Sequence, residues 1–117
     1  MLCYVQEHEG TIVGYIIWGQ KSGFRPRVVL ELEQIAIHPT VQGKGLGQKL
    51  IEQSLELVKS QLAKRDATLK HILVSTRADN AAQKLYRRVL GAEVEATLTN
   101  LFSADEVYMV ARNVDQN

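Results

Sequence analysis

The stretch HPTVQGKGLGQKLIEQ, His38 to Gln53, sets three glycines and a lysine directly ahead of a long amphipathic pattern. Glycine weakens a helix, so a cluster of it at a helix start needs a reason. A tight turn is one. The other is a bound anion: the first turn of a helix has free N–H groups and the positive end of the helix dipole, and bare backbone lets a phosphate come close. Val28 to Ile37 reads as a strand that Pro39 stops. From about Gly43 to Arg65, Leu46, Leu50, Ile51, Leu55, Val58 and Leu62 recur at helical spacing. A strand, a glycine loop and a helix in that order form the context a phosphate cradle needs, and Lys44 adds a point charge. QGKGLG lacks the spacing and the Lys-Ser/Thr ending of a P-loop, and it does not spell the dinucleotide fingerprint.

Around this junction the chain alternates short strands with two helices. Leu2 to Gln6 and Thr11 to Trp18 read as a hairpin turned at His8-Glu9-Gly10. In the second strand Ile12, Ile16 and Trp18 share one face and Val13, Tyr15 and Ile17 the other, so both faces are expected to be covered. Gly19 to Arg27 is a polar loop. Alternation in the third strand groups Glu31, Glu33, Ile35 and Ile37, with Leu32, Gln34, Ala36 and His38 opposite. Thr68 to Thr76 is the next strand. Asp79 or Asn80 caps a second helix that carries Ala82, Leu85, Tyr86 and Val89 on one face and ends at Gly91. Val94 to Leu98 and Val107 to Ala111 are the last strands. The order β-β-β-α-β-α-β-β predicts an α+β fold in one domain spanning residues 1–117, with helices packed on the sheet.

Composition removes several function classes. A net charge of +1 with scattered basic residues gives no field for nucleic acid or anionic lipid. The one cysteine, Cys3, rules out an intramolecular disulfide and a cysteine-built zinc site. It reads as a small core residue on a strand, and the chain fits a reducing cytoplasm. No apolar run approaches the ~20 residues of a membrane span, and with no basic region followed by a long apolar core at the N-terminus no secretion signal is expected. His8, His38 and His71 form no cluster with metal-ligand spacing, so no metal is expected. His38 itself reads as a surface or packing residue.

The stretch ELEQIAIHPTVQGKGLGQKLIEQ resembles the GNAT superfamily of N-acetyltransferases, whose signature Gln/Arg-x-x-Gly-x-Gly/Ala lies between a strand and a helix. Gln42, Gly45 and Gly47 fill it in register. Downstream, NAAQKLYRRVLGAE is similar to the family's second CoA-contacting segment, with Asn80, Tyr86 and Gly91 in the matching places. The resemblance covers nearly the whole chain and implies a GNAT-like mixed, mostly antiparallel sheet. It departs in lacking the strand and two helices that usually precede the hairpin, in one additional residue between Tyr86 and Gly91, and in Ala92 where an aromatic often follows.

The resemblance implies acetyl-CoA as acyl donor. Pantetheine would pair with the strand at Ile35, Ala36 and Ile37, and the pyrophosphate would sit on the backbone of Gln42, Gly43, Lys44, Gly45, Leu46 and Gly47. Asn80 would contact the pantetheine arm or hold the second helix. Transfer to an amine needs a neutral nucleophile, a stabilised carbonyl oxygen and a tolerated thiolate. A backbone N–H of the Ile35–Ile37 strand is the natural oxyanion donor. Tyr86 is the candidate general acid, or else a core aromatic; a phenol has a reference pKa of about 10. Glu31 and Glu33 are candidates to deprotonate an ammonium through water or to bind a cationic acceptor, or else form an exposed carboxylate pair. Arg77 and Lys84 are candidates to approach CoA phosphates, with solvated charge the preferred reading for each.

These residues predict an acetyl-CoA-dependent N-acetyltransferase acting on an amine of a small molecule or protein. The alternative is a non-catalytic CoA-binding module for sensing or assembly. Nucleic acid as a partner is disfavoured by near-neutral charge and few aromatics. The loop Gly19 to Arg27 and the loop near Phe102 are expected to line the acceptor side. Without the usual leading elements the hairpin leaves apolar surface uncovered, so a homodimer is expected.

Overall fold

Glu9 and Gly10 both adopt left-handed backbone angles, φ 52° and 80°. That two-residue turn suits the twist of a hairpin, and it joins β1 (Leu2–His8) to β2 (Thr11–Gln20). The computed structural model describes residues 2–22, 25–102 and 104–114. Within them the chain continues as β3 (Arg27–Ile37), a single 3-10 turn (Pro39–Val41), α1 (Leu46–Ala63), β4 (Thr68–Arg77), α2 (Ala82–Leu90), β5 (Glu93–Leu98) and β6 (Glu106–Ala111). The six strands form one sheet in the order β1-β2-β3-β4-β6-β5. Only β3 and β4 run parallel, with α1 as their crossover; the other pairs are antiparallel. This is the α+β architecture expected from the sequence.

Both helices lie on one face. Ile16, Trp18, Val28, Leu30, Leu32, Ile72, Val74 and Met109 from the strands meet Leu50, Ile51, Val58 and Leu62 of α1 and Tyr86 of α2 in one core. Trp18 is fully buried, and its indole Nε1 donates to Ser54 Oγ at 2.9 Å. Ser54 therefore sits in the apolar stripe of α1 as a satisfied polar group, since an unpaired indole N–H there would be costly.

The opposite face has no covering layer among the described residues. Val5 is 54% exposed, Ile12 62% and Tyr15 38%. The expectation that both faces of β2 are covered thus fails within this chain, and so does the grouping of Ile12 with Ile16 and Trp18: Gly14 pairs with Gln6 and Ile12 with Glu7, so Val13 is an extra residue that turns Ile12 to the uncovered face. Cys3 is corrected for the same reason: it pairs with Ile17 on the uncovered face and is exposed rather than in the core.

A second correction concerns β3. Ile17 pairs with Gln34 and Trp18 with Leu32, leaving Glu33 as an extra residue. Such a β-bulge shifts the alternation of everything beyond it. Before it, Leu32 pairs with Trp18 and faces the helices. After it, Ile35 pairs with core residue Ile16 and also packs towards the helices, as does Ile37. Glu31 pairs with Gly19 on the uncovered face. Glu31 and Glu33 therefore do not share a face with Ile35 and Ile37.

Candidate active site

β3 and β4 pair from Arg27 and Thr68 as far as Leu32 and Val74 and no further. Each strand continues beyond that point held only by its other neighbour. β3 stays paired with β2 to Ile37, and β4 with β6 to Arg77. The sheet parts along this seam, and the β3 edge from Glu33 onward turns towards a cavity of about 440 Å³. Its walls are Ile35, Ala36 and Ile37 of β3, Val41 to Gly43 and Gly45 to Gly47 of the loop, and Asn80, Ala82, Leu85 and Tyr86 around α2.

The loop takes its shape from glycine angles. Gly43 (φ 81°) and Gly45 (φ 76°) are left-handed, and an added Cβ would meet nothing within 4 Å at either. Backbone angle, rather than crowding, is what requires glycine there. Those angles are incompatible with a helix, so α1 begins at Leu46 and not at Gly43 as the periodicity suggested. The first bond into the helix runs from Lys49 N to Gly45 O at 3.1 Å. The amides of Leu46, Gly47 and Gln48 precede it and have no acceptor among the described residues, as the start of a helix dictates. Gly47 differs from the other two: an added Cβ would make ordinary contacts, 3.7 Å from Leu85 and 3.9 Å from Ile37. Protein packing does not demand glycine at that point.

Gln42 braces the loop. Its side-chain Nε2 donates to Ile37 O at 2.9 Å, and its own amide bonds Pro39 O at 3.4 Å. Gln42 thus serves as a clamp between β3 and the loop, whereas the free amides start later. His38 Nδ1 accepts from Thr40 N at 3.2 Å and caps the 3-10 turn, a surface role as expected. Lys44 is exposed beside the cavity without lining it.

Across the seam, Asn80 Oδ1 accepts from Ala82 N at 2.8 Å and so holds the start of α2. Asp79 turns away to pair with Arg77 at 3.1 Å. Gly91, left-handed at φ 72°, ends the helix. Tyr86 is only 6% exposed; it belongs to the core and lines the cavity at once. Burial pushes its phenol above the ordinary tyrosine value, so it stays protonated at neutral pH. Full proton transfer from phenol to thiolate is uphill by about 2 kcal/mol even at reference pKa values. What such a phenol offers a departing sulfur is therefore foremost a hydrogen bond.

Glu31 and Glu33 lie outside this cavity, on the uncovered face. Lys21 Nζ stands 3.1 Å from Glu33 and 3.6 Å from Glu31. Of the loops expected near the acceptor, residues 23, 24 and 103 lie outside the described residues, and Phe102 is 76% exposed.

The profile of the acetyltransferase (GNAT) domain family matches residues 1–89. The chain belongs to the GNAT acetyltransferase family. Solved structures share its fold. A ribosomal-protein-alanine N-acetyltransferase from Brucella melitensis is 24% identical, with a TM-score of 0.69 over 94% of this chain and 67% of its own. The yncA protein of Salmonella typhimurium, solved with acetyl-CoA, is 26% identical at a TM-score of 0.69, covering 94% of this chain and 63% of its own. An IAA acetyltransferase from Bacillus cereus is 18% identical, with a TM-score of 0.72 over 94% and 76%. This chain spans about two thirds of the length of the first two. No curated protein is similar enough in sequence to count as a match.

Most of the residues that the resemblance assigns to the cofactor converge on the parted seam. Ile35 to Ile37, Gln42, Gly43, Gly45, Leu46, Gly47, Asn80 and Tyr86 line one cavity, while Lys44, Glu31 and Glu33 do not. Val41, Ala82 and Leu85 line it too, without being site candidates from the sequence. Leu85 was readable, because it lies one turn ahead of Val89 on the same face as Tyr86.

Proposed function

We propose that this GNAT protein is an acetyl-CoA-dependent N-acetyltransferase that transfers acetyl directly to an amine of a small molecule or protein. The observation that carries the proposal is the β3–β4 opening, bounded by the left-handed glycine loop on one side and Tyr86 on the other. The cavity suits a long, thin donor with an anionic end. Its strand edge offers main-chain partners to the pantetheine arm at Ile35, Ala36 and Ile37. The free amides of Leu46, Gly47 and Gln48, with the helix dipole behind them, suit the diphosphate. Lys44 supplies charge at the rim.

The chemistry follows from position. The donor lies on the helix side of the sheet, and the glutamates stand on the other. Acceptor and thioester meet through the gap between the strands, where a β3 backbone N–H is available to the carbonyl oxygen as it gains charge. Glu33 and Glu31 bind the acceptor ammonium and take its proton, directly or through water. The nitrogen then forms its bond to the acetyl carbon as the carbon–sulfur bond breaks; its second proton leaves for the thiolate through water, and Tyr86 donates a hydrogen bond to the leaving sulfur. Orientation of two reactants supplies ~7–11 kcal/mol in favourable cases, so no metal is invoked.

We further propose a cytoplasmic homodimer in which a second copy covers the exposed Val5, Ile12 and Tyr15. A monomer at micromolar concentration in sedimentation would remove that part. The acetyltransferase reading is tested by CoA release against a panel of amines, alongside calorimetry with acetyl-CoA. Heat and turnover together support it; heat without turnover on any amine favours the non-catalytic module; no heat overturns both.

A further inference from the structure

The uncovered face of β3 carries two carboxylates, and the chain's own ammonium already occupies them. Lys21 follows β2 directly. Its backbone N–H donates to Val29 O at 2.8 Å, which extends the hairpin by one step, and the Val29 amide donates to Ser22 Oγ at 2.9 Å. These bonds anchor the backbone at Lys21, from which the side chain reaches over the carboxylates. That side chain is 45% exposed, against 17% for Glu31 and 26% for Glu33. The cation lies over the carboxylates as a lid. Gly19 makes room for this arrangement: a Cβ there would come within 2.7 Å of the Glu33 carboxyl group. Glu33 is thus drawn sideways across β2.

We infer that Lys21 is a tethered rival of the acceptor: an incoming ammonium must displace it from Glu31 and Glu33, so the site selects acceptors that arrive positively charged. The identity of the incoming group as an acceptor rests on the acetyltransferase reading above. Electrostatics explains the selectivity. Two neighbouring carboxylates stripped of their counter-cation repel each other, and only another cation restores the balance. An arylamine or an alcohol, neutral at pH 7, has nothing to exchange. Lys21 is itself held protonated by the hydrogen bond to Glu33 and the charge of Glu31, so it competes as a cation and not as a nucleophile.

The test needs no turnover. Propane-1,3-diamine is titrated into wild type and Lys21→Met while the carboxyl carbon shifts of Glu31 and Glu33 are followed by NMR; propane-1,3-diol is the uncharged control. The variant is expected to bind the diamine roughly three- to tenfold more tightly, the scale of losing a competing exposed ion pair. Adding Glu33→Gln to Lys21→Met is expected to abolish the gain, and the diol is expected to bind neither protein. Lys21→Gln repeats the measurement should Lys21→Met fold poorly. Equal diamine affinity in wild type and variant would overturn the inference, as would a diol that binds as well as the diamine. Calorimetry with CoA keeps the two proposals apart. Competition at the glutamates without CoA binding sinks the acetyltransferase reading and leaves the lid standing. Turnover with an unchanged KM for an alkylamine in Lys21→Met does the reverse.

Discussion

The two halves of β3 follow different rules. From Arg27 to Leu32 the strand is paired on both sides, and Val28, Leu30 and Leu32 are 0%, 2% and 3% exposed. From Glu33 to Ile37 it starts with a bulge, keeps one neighbour, and is at most half-buried. The first half ties the sheet together. The second gives up a ladder of hydrogen bonds and a packed neighbour, and what it gains is an edge a ligand can use. Stability and binding are therefore separated along a single strand, and substitutions in each half should have separable effects.

The largest expected effect lies in the paired half. Leu30→Ala removes a buried side chain from the centre of the core and is expected to cost roughly 2–5 kcal/mol, measured by urea unfolding. The same change at half-exposed Ile35 is expected to cost well under half as much while weakening acetyl-CoA binding. If Ile35→Ala proves as destabilising as Leu30→Ala, the division of β3 is wrong. Next in size is Tyr86→Phe. Removing the hydrogen-bond donor from the leaving sulfur is expected to lower kcat about 100-fold, with the acetyl-CoA affinity and the unfolding midpoint nearly unchanged. A rate within a factor of about two of wild type would return Tyr86 to a purely structural role.

Much of this organisation was legible beforehand, for identifiable reasons. Leu46 to Leu62 announce α1 because the helical period is long and regular. QGKGLG announces the junction because left-handed angles leave few residues to choose from. The Glu33 bulge left no such mark. ELEQ alternates as well with the extra residue as without it, and only the pairing of β2 reveals it. Plain alternation therefore puts Gln34 to Ile37 on the wrong face relative to Glu31, and with them the relation of the glutamates to Ile35. The Lys21 lid was invisible for the same reason, since it depends on where the bulge sends Glu33. Cys3 and Tyr15 misled because a strand pattern records what a face could bury, not whether this chain provides a layer to bury it.

The glycine loop sharpens the comparison at smaller scale. Gly45→Ala forces a left-handed angle on a residue with a Cβ and is expected to destabilise by about 1–2 kcal/mol. Gly47→Ala has an ordinary angle and room for the methyl, so its unfolding midpoint should barely move. If the amides there hold a diphosphate, the added methyl crowds the ligand alone. Acetyl-CoA affinity is then expected to fall about tenfold, or roughly 1.4 kcal/mol, in calorimetry. Unchanged affinity in Gly47→Ala would put the anion elsewhere on the loop.

The smallest effect is a pH dependence confined to the paired half of the sheet. His71 pairs with Val29, and its Nδ1 accepts the Asn113 amide at 2.9 Å, which requires that nitrogen to be unprotonated. Burial, then the charges of Lys70 and Arg112, hold its pKa below the ordinary 6.5, with Arg27 adding to them. Glu95 nearby is committed to Arg112, whose Nε lies 2.7 Å from it. A histidine with a depressed folded pKa binds fewer protons folded than unfolded. Its contribution is therefore present above about pH 6.5 and is lost as the pH falls through the lower, folded value. His71→Asn keeps an acceptor in place without titrating in this range. Between pH 7.5 and 5.5 the wild-type Tm is expected to drop more than that of the variant, whereas acetyl-CoA affinity should follow the same pH course in both. Parallel Tm curves would mean that the Asn113 bond carries no stability. A divergence in affinity instead would mean that the two halves of β3 are coupled after all.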